Sequence, residues 1–141
     1  MTARRGPIVV DTDVFGFLLT PESELARRYD PLLAGRPAVL SFQTVAELRF
    51  GAARRRWGAT RMRRLEAEIG RAAIVHSGTE ILGAYVDLRV ASERAGHALG
   101  QREHDADRWI AATAVRLGIP LVSNDRIFEG APGLSLGSAH G

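Results

Sequence analysis

The sequence predicts an α/β fold, a parallel-stranded central sheet flanked by helices on both faces. Three observations carry this. Short, fully apolar runs such as Ile8-Val9-Val10 suit strands buried on both sides. Longer amphipathic segments alternate with them, as crossover helices do. Glycine and proline punctuate the joins, with Gly118 and Pro120 the clearest pair.

The elements follow in order. Ile8–Val10 is the first strand, and Val14–Leu19 opens a short helix. Pro21, Glu22 and Glu24 mark the start of another helix, because proline and acids suit a first turn. It runs to about Leu33 and stops at Gly35. Ala38–Leu40 is a second strand, after which Ser41 caps a helix to about Arg56. Trp57 and Gly58 break it, and a basic helix covers about Thr60 to Gly70. Ala72–Val75 is the third strand. Thr79 to about Ala95 is helical, with Ile81, Leu82, Tyr85, Leu88 and Val90 near a 3.6-residue spacing. Gly96–Gly100 is a turn. Asp105 caps a helix that ends at Leu117, where Gly118 stops it. Leu121 and Val122 form the fourth strand, Asn124-Asp125 a turn, and Leu134–Leu136 a last strand. The 141 residues read as one domain, with 1–6 and 137–141 as loose termini.

Composition narrows the chemistry. The chain is 45% hydrophobic and 25% charged, an ordinary globular balance. It has no cysteine, which excludes disulfides, zinc–thiolate sites and thiol nucleophiles. No run approaches the roughly 20 apolar residues of a membrane span. No signal-peptide core follows Arg4 and Arg5. A cytoplasmic protein without membrane contact is expected. All 19 basic residues are arginine, and eight lie between 49 and 71. Guanidinium groups suit phosphate. A solvated helix face explains the same cluster.

Parallel sheets place ligands beyond the carboxyl ends of their strands. Asp11 directly follows the first strand, and Asp125 stands just past the fourth. Asp107 sits in a first helical turn, with Ile110, Ala111 and Ala114 on its face against the sheet. Glu47 lies on the helix after the second strand, and Gly51 one turn on is expected to admit a neighbouring backbone. Each acid also has an ordinary explanation. Asp11 and Asp107 suit helix starts, Glu47 could close a capping box with Thr44, and Asp125 could be a turn residue. Together they point to one edge. Carboxylates that share a pocket repel one another, and a hard divalent cation removes that penalty. His76, His97, His104 and His140 read as structural or incidental.

Four segments in order resemble the PIN domain, and within it toxins of the VapC type: Ile8-Val9-Val10-Asp11-Thr12, Ala46-Glu47-Leu48-Arg49-Phe50-Gly51, Asp107-Arg108-Trp109-Ile110-Ala111-Ala112-Thr113-Ala114, and Leu121-Val122-Ser123-Asn124-Asp125. They span residue 8 to about 128. The resemblance implies a PIN-like three-layer α/β/α fold. It also implies a metal-dependent endoribonuclease of a type II toxin–antitoxin pair, with a cognate VapB-type antitoxin and a homodimer. Asp11, Glu47, Asp107 and Asp125 match the family's acidic positions. Asp11 and Asp107 would be the direct Mg2+ ligands, with Mn2+ as a substitute ion. Glu47 and Asp125 would hold water, a second ion or the geometry. Ser123 matches a supporting hydroxyl position. Water would attack phosphorus in line, leaving a 5′-phosphate and a 3′-hydroxyl.

Two departures stand out. Asp13 occupies a position where Asn or Ser is more usual; a fifth acid could strengthen metal binding or cap the next helix, and the cap is the preferred reading. Trp109 replaces an aliphatic residue and is read as core in preference to the edge of a partner groove. Arg54, Arg55, Arg56, Arg61, Arg63 and Arg64 are expected to include RNA contacts. Their neighbours Phe42, Phe50, Trp57, Met62 and Leu65 line an antitoxin groove or fill the core.

Two other readings remain. One is a catalytically silent PIN-like module that binds RNA or a partner. The other is a haloacid-dehalogenase-type phosphatase suggested by Asp11-Thr12-Asp13, weakened because the chain has no lysine to place beside a phosphate.

Overall fold

The computed structural model describes residues 5–140; the expected loose ends at 1–4 and 141 lie outside them. The elements are β1 (Ile8–Val10), α1 (Thr12–Phe17), α2 (Glu24–Leu33), β2 (Ala38–Ser41), α3 (Phe42–Arg54), α4 (Ala59–Gly70), β3 (Ala73–Val75), α5 (Thr79–Ala95), α6 (Asp105–Leu117), β4 (Leu121–Val122) and β5 (Leu136–Gly137). Short 3-10 turns lie at 98–100, 102–104 and 126–128.

The strands run parallel in the order β3-β2-β1-β4-β5. Side chains alternate across the pleat, so each short apolar strand feeds two cores. Ile8, Val10, Leu40 and Val122 point to one face, against Val14, Tyr29, Val45 and Leu65 of α1 to α4. Val9, Val39 and Leu121 point to the other, against Leu88, Ile110, Ala111 and Ala114 of α5 and α6. The β1 side chains are all within 1% of complete burial. Each contributes about 1.5–3 kcal/mol by leaving water. This is the three-layer α/β/α arrangement that the alternation predicts.

Local chemistry sets the ends of the helices. Ser41 Oγ accepts from the Gln43 N–H at 3.2 Å and starts α3. Gly118 adopts φ +67°, a left-handed conformation that ends α6 without a Cβ clash.

Several boundaries differ from expectation. α1 begins at Thr12, because Asp11 caps it. α2 begins at Glu24 behind Ser23, which accepts from the Ala26 N–H at 3.1 Å, so Pro21 lies outside the helix. Asp105 is the first residue of α6 rather than its cap. The last strand is Leu136–Gly137, paired with Leu121 and Val122.

Residues 137–140, expected to be loose, are held to the body. Arg28 Nη2 donates to Ala139 O at 3.0 Å, and His140 Nε2 bonds Asn124 O at 2.7 Å. Among the described residues, no helix is long and apolar enough to cross a membrane.

Candidate active site

The strand order reverses between β1 and β4: from β1 the chain moves outward through β2 and β3, then returns to the other side of β1. A crevice opens at the carboxyl ends of such a pair of strands. Asp11 and Ser123 meet there. The Asp11 N–H extends the ladder by donating to Val122 O at 3.0 Å. Asp11 is 6% exposed. It accepts from the Thr12 N–H at 2.8 Å and from Ser123 Oγ at 2.6 Å. Asp11 is thus both the α1 cap and a buried acid. Burial pushes its pKa up to about 7; the Ser123 bond opposes that rise, while Asp13 and Glu47 add repulsion.

Glu47 enters from α3. The expected box with Thr44 does not form, because Ser41 is the cap. The carboxylate turns instead to α1 and accepts from Thr12 Oγ1 at 3.2 Å. Its pKa is raised, first by burial and then by repulsion from Asp107 and Asp13. Asp107, in the first turn of α6, is also raised by burial and by Asp125. The hydrogen bond from His104 Nδ1 at 3.2 Å opposes that rise. His104, expected to be incidental, is therefore a neighbour of this acid. Asp125 is exposed; its N–H donates to Ser123 Oγ at 3.0 Å, and its carboxylate accepts from the Ile127 N–H at 3.0 Å.

The four acids singled out by the sequence therefore stand in one electrostatic neighbourhood, and Asp13 joins them. It was expected to cap a helix, but Asp11 holds that position. The Asp13 carboxylate accepts from the Val14 N–H at 2.7 Å, and its pKa is raised, first by lost hydration and further by repulsion from Asp125. Among the described residues, no salt bridge reaches Asp11, Asp13, Glu47 or Asp125. No three acidic or histidine side chains there form a group able to enclose an ion directly. An all-oxygen, like-charged donor set of this kind suits a hard cation that keeps several waters and takes few direct carboxylates.

A groove of about 820 Å³ adjoins the acids, lined by Thr12, Asp13 and Glu47 and by the apolar Phe17, Leu48, Phe50, Trp57 and Leu65. Arg55, Arg61 and Arg64 also line it. Glu47 on α3 and Arg55, the residue that caps its C-terminus, lie eight residues apart, about 12 Å along the axis at 1.5 Å per residue. The groove is thus acidic toward one end and basic toward the other. Arg54, Arg56 and Arg63 are exposed but do not line it. Of the five apolar neighbours, only Leu65 is fully buried, and Phe50 is 64% exposed. The close backbone approach expected at Gly51 is absent, since a Cβ there would meet only Arg55 Nη1 at 3.8 Å.

Two features near α6 differ from the preferred reading of the sequence. Trp109 is half-buried rather than core, stacked on Tyr85 with ring centroids 4.0 Å apart and edge-on to Phe42 at 5.4 Å. Arg108 is 1% exposed. Its guanidinium donates to Leu99 O at 2.8 Å, to Gln101 O, and to the Tyr85 hydroxyl at 3.1 Å. Nothing in the local pattern separates this arginine from the solvated ones.

Comparison with known proteins agrees with this architecture. VapBC2 from Rickettsia felis, bound to a DNA fragment from its promoter, superposes with a TM-score of 0.75 at 22% identity, covering 93% of this chain and 97% of that one. DNA-bound VapBC from Salmonella typhimurium gives 0.73 at 24%, over 96% and 99%. VapBC-5 from Mycobacterium tuberculosis, of the VapBC family of toxin–antitoxin systems, gives 0.65 at 24%, over 93% and 96%. These likenesses share a fold. No match to the chain is found among curated proteins. The family model described as "PIN domain" matches residues 8–134, and all five acids lie inside that span. With its parallel sheet and its acids gathered at the reversal of strand order, this chain belongs to the PIN-domain family.

Proposed function

We propose that the chain is a magnesium-dependent endoribonuclease, the toxin of a type II toxin–antitoxin pair. The observation that carries the reading is the set of mutually repelling carboxylates at the switch point, four of which have no salt-bridge partner among the described residues. Asp11 and Asp107 would hold the ion directly, and Glu47, Asp125 and Asp13 through water. When bound, the cation neutralises the site, polarises the phosphodiester and makes water a better nucleophile. The chain's own residues do the rest. Ser123 orients Asp11, Thr12 orients Glu47, and His104 orients Asp107. Manganese, with the same preference for oxygen donors, would substitute for magnesium.

Partners follow from the surfaces. The groove suits a VapB-type antitoxin segment with an apolar middle, because its floor is apolar and its two ends carry opposite charge. Arg55, Arg61 and Arg64 are assigned to that contact. Arg54, Arg56 and Arg63, exposed outside the groove, are assigned to RNA phosphates. Leu82, Val86 and Val90 recur every fourth residue on α5 and are 52%, 50% and 40% exposed. That stripe favours a homodimer. The reading takes the chain as a single cytoplasmic domain.

The test is incubation of the pure protein with total RNA, with and without Mg2+, beside Asp11→Ala. Cleavage that needs both the metal and Asp11 is expected. Equal, metal-independent loss of RNA in both proteins sinks the reading. The second reading, a silent RNA- or partner-binding module, draws on the lack of a ready three-ligand group among the described residues. It expects RNA binding without cleavage in the same experiment.

A further inference from the structure

Tyr29 lies on α2, an element that contributes none of the five site acids, and the residue is completely buried. Its ring packs against Phe17 with centroids 5.5 Å apart. Its hydroxyl has three oxygen neighbours: Asn124 Oδ1 at 2.7 Å, Ser123 O at 3.3 Å and Ser138 Oγ at 3.5 Å. All three belong to the turn that carries Asp125 or to the end of the chain. A phenol has one proton to give, and the shortest contact assigns it to Asn124.

Asn124 is the hub. Its side-chain oxygen takes the Tyr29 bond. Its backbone lies near Asp13 and opposes the rise in that acid's pKa. Its carbonyl accepts from His140 Nε2 at 2.7 Å. Ser123 on one side is bonded to Asp11, and Asp125 follows on the other. The tail that brings His140 there is held in turn by Arg28 at Ala139 O and by the His140 N–H at Ser138 Oγ, 3.1 Å. A tyrosine that only filled a core would need one acceptor anywhere. This one has all its acceptors on the turn between two site acids and on the strap behind it.

We propose that Tyr29 is a positioning residue, which holds the Ser123–Asp125 turn through Asn124, and that Ser138–His140 closes the clamp from the other side. The clamp fixes the turn that carries Asp125 before any cation arrives. It rests on the ribonuclease reading for its consequence in catalysis, but not for its effect on the turn. Residues that orient a metal site's ligands commonly change affinity or rate about 10- to 100-fold when removed.

The experiment compares the full chain with Tyr29→Phe, which keeps the ring and removes the hydroxyl. Amide hydrogen exchange is read without metal, and RNA cleavage over a Mg2+ titration. Faster exchange at Asn124, Asp125 and Ile127 is expected. With it come a kcat lower by about 10- to 100-fold, an unchanged KM for RNA, and a higher Mg2+ concentration for half-maximal rate. Deletion of Ser138–Gly141 should loosen the same amides. Unchanged exchange in Tyr29→Phe, or a loosened turn with unaltered kcat and Mg2+ dependence, overturns the proposal. If Tyr29→Phe does not fold, Asn124→Ala breaks the same bond and is read by the same criteria. If the unmodified chain cuts no RNA, the ribonuclease reading fails, and exchange alone then decides whether the clamp exists.

Discussion

Ser123 Oγ donates a hydrogen bond of 2.6 Å to Asp11 Oδ2, joining residues 112 positions apart. The same oxygen accepts the Asp125 N–H at 3.0 Å. One buried hydroxyl thus ties the acid after β1 to the turn after β4. Because the bond favours the charged carboxylate, it opposes the rise that burial imposes on Asp11.

Replacing that hydroxyl should therefore act on both charge and stability. Ser123→Ala removes a donor from the buried Asp11 carboxylate and an acceptor from the Asp125 N–H. The acid limb of the cleavage pH profile should move to higher pH. Stability should fall by about 1–3 kcal/mol, the usual cost of stranding buried polar groups. Urea denaturation and a pH–rate series measure the two effects; an unmoved acid limb contradicts this role for Ser123.

The metal-free protein should lose stability as pH rises. An acid whose pKa is raised on folding favours the folded state only while protonated. For Asp11 that contribution is full below the ordinary value of 3.8 and is lost as pH climbs through about 7. Glu47 and Asp107 shift in the same direction. Melting of chelator-treated protein should therefore show a Tm gain from added Mg2+ that is small near about pH 4 and grows toward about pH 8. A gain independent of pH would separate the cation from these carboxyls.

The two sets of arginines should separate in binding measurements. Arg55→Glu with Arg64→Glu should weaken capture of a cognate antitoxin and leave the salt slope of RNA binding little changed. Arg54→Ala, Arg56→Ala and Arg63→Ala together should lower that slope by up to about 0.7 for each phosphate these arginines neutralise. Titration in a salt series, with a site variant such as Asp11→Ala to prevent cleavage, reads the slope. The reverse pattern would assign the groove to RNA.

Gly100 should tolerate no side chain. A Cβ there would stand 2.7 Å from Glu93 N and 2.9 Å from Glu93 Cα, both backbone atoms of α5. Gly100→Ala should cost about 1–3 kcal/mol by forcing the turn at 98–100 away from α5. That turn leads to the carbonyls that Arg108 grips. Loss of stability is read by denaturant titration; a neutral substitution would mean that the turn moves freely.

Arg108→Met should destabilise the start of α6 more than a surface arginine would. It leaves Leu99 O, Gln101 O and the Tyr85 hydroxyl without their guanidinium donor. A loss of at least about 1–3 kcal/mol is expected, with faster amide exchange around 99–104. Arg63→Met, at an exposed position, is the matched control.

Much of this protein is legible in the sequence because burial leaves a periodic trace. Ile8-Val9-Val10 announces a strand buried on both faces, and Asp11 after it announces a carboxyl end. Ile110, Ala111 and Ala114 give the buried face of α6 and hence the place of Asp107. Ser41 and Gly118 mark helix ends through requirements local to a few residues. The tertiary structure decided which polar groups meet. Asp125 repels Asp13, Thr12 turns to Glu47, Tyr29 reaches Asn124, and Arg108 is buried while Arg54 and Arg63 stay in water. Gly100, rather than Gly51, is where another backbone comes close. The physical reason is a difference in range. An apolar face is written in the spacing of neighbours along the chain, whereas a hydrogen bond or a carboxylate repulsion depends on a few ångströms between segments that only packing brings together.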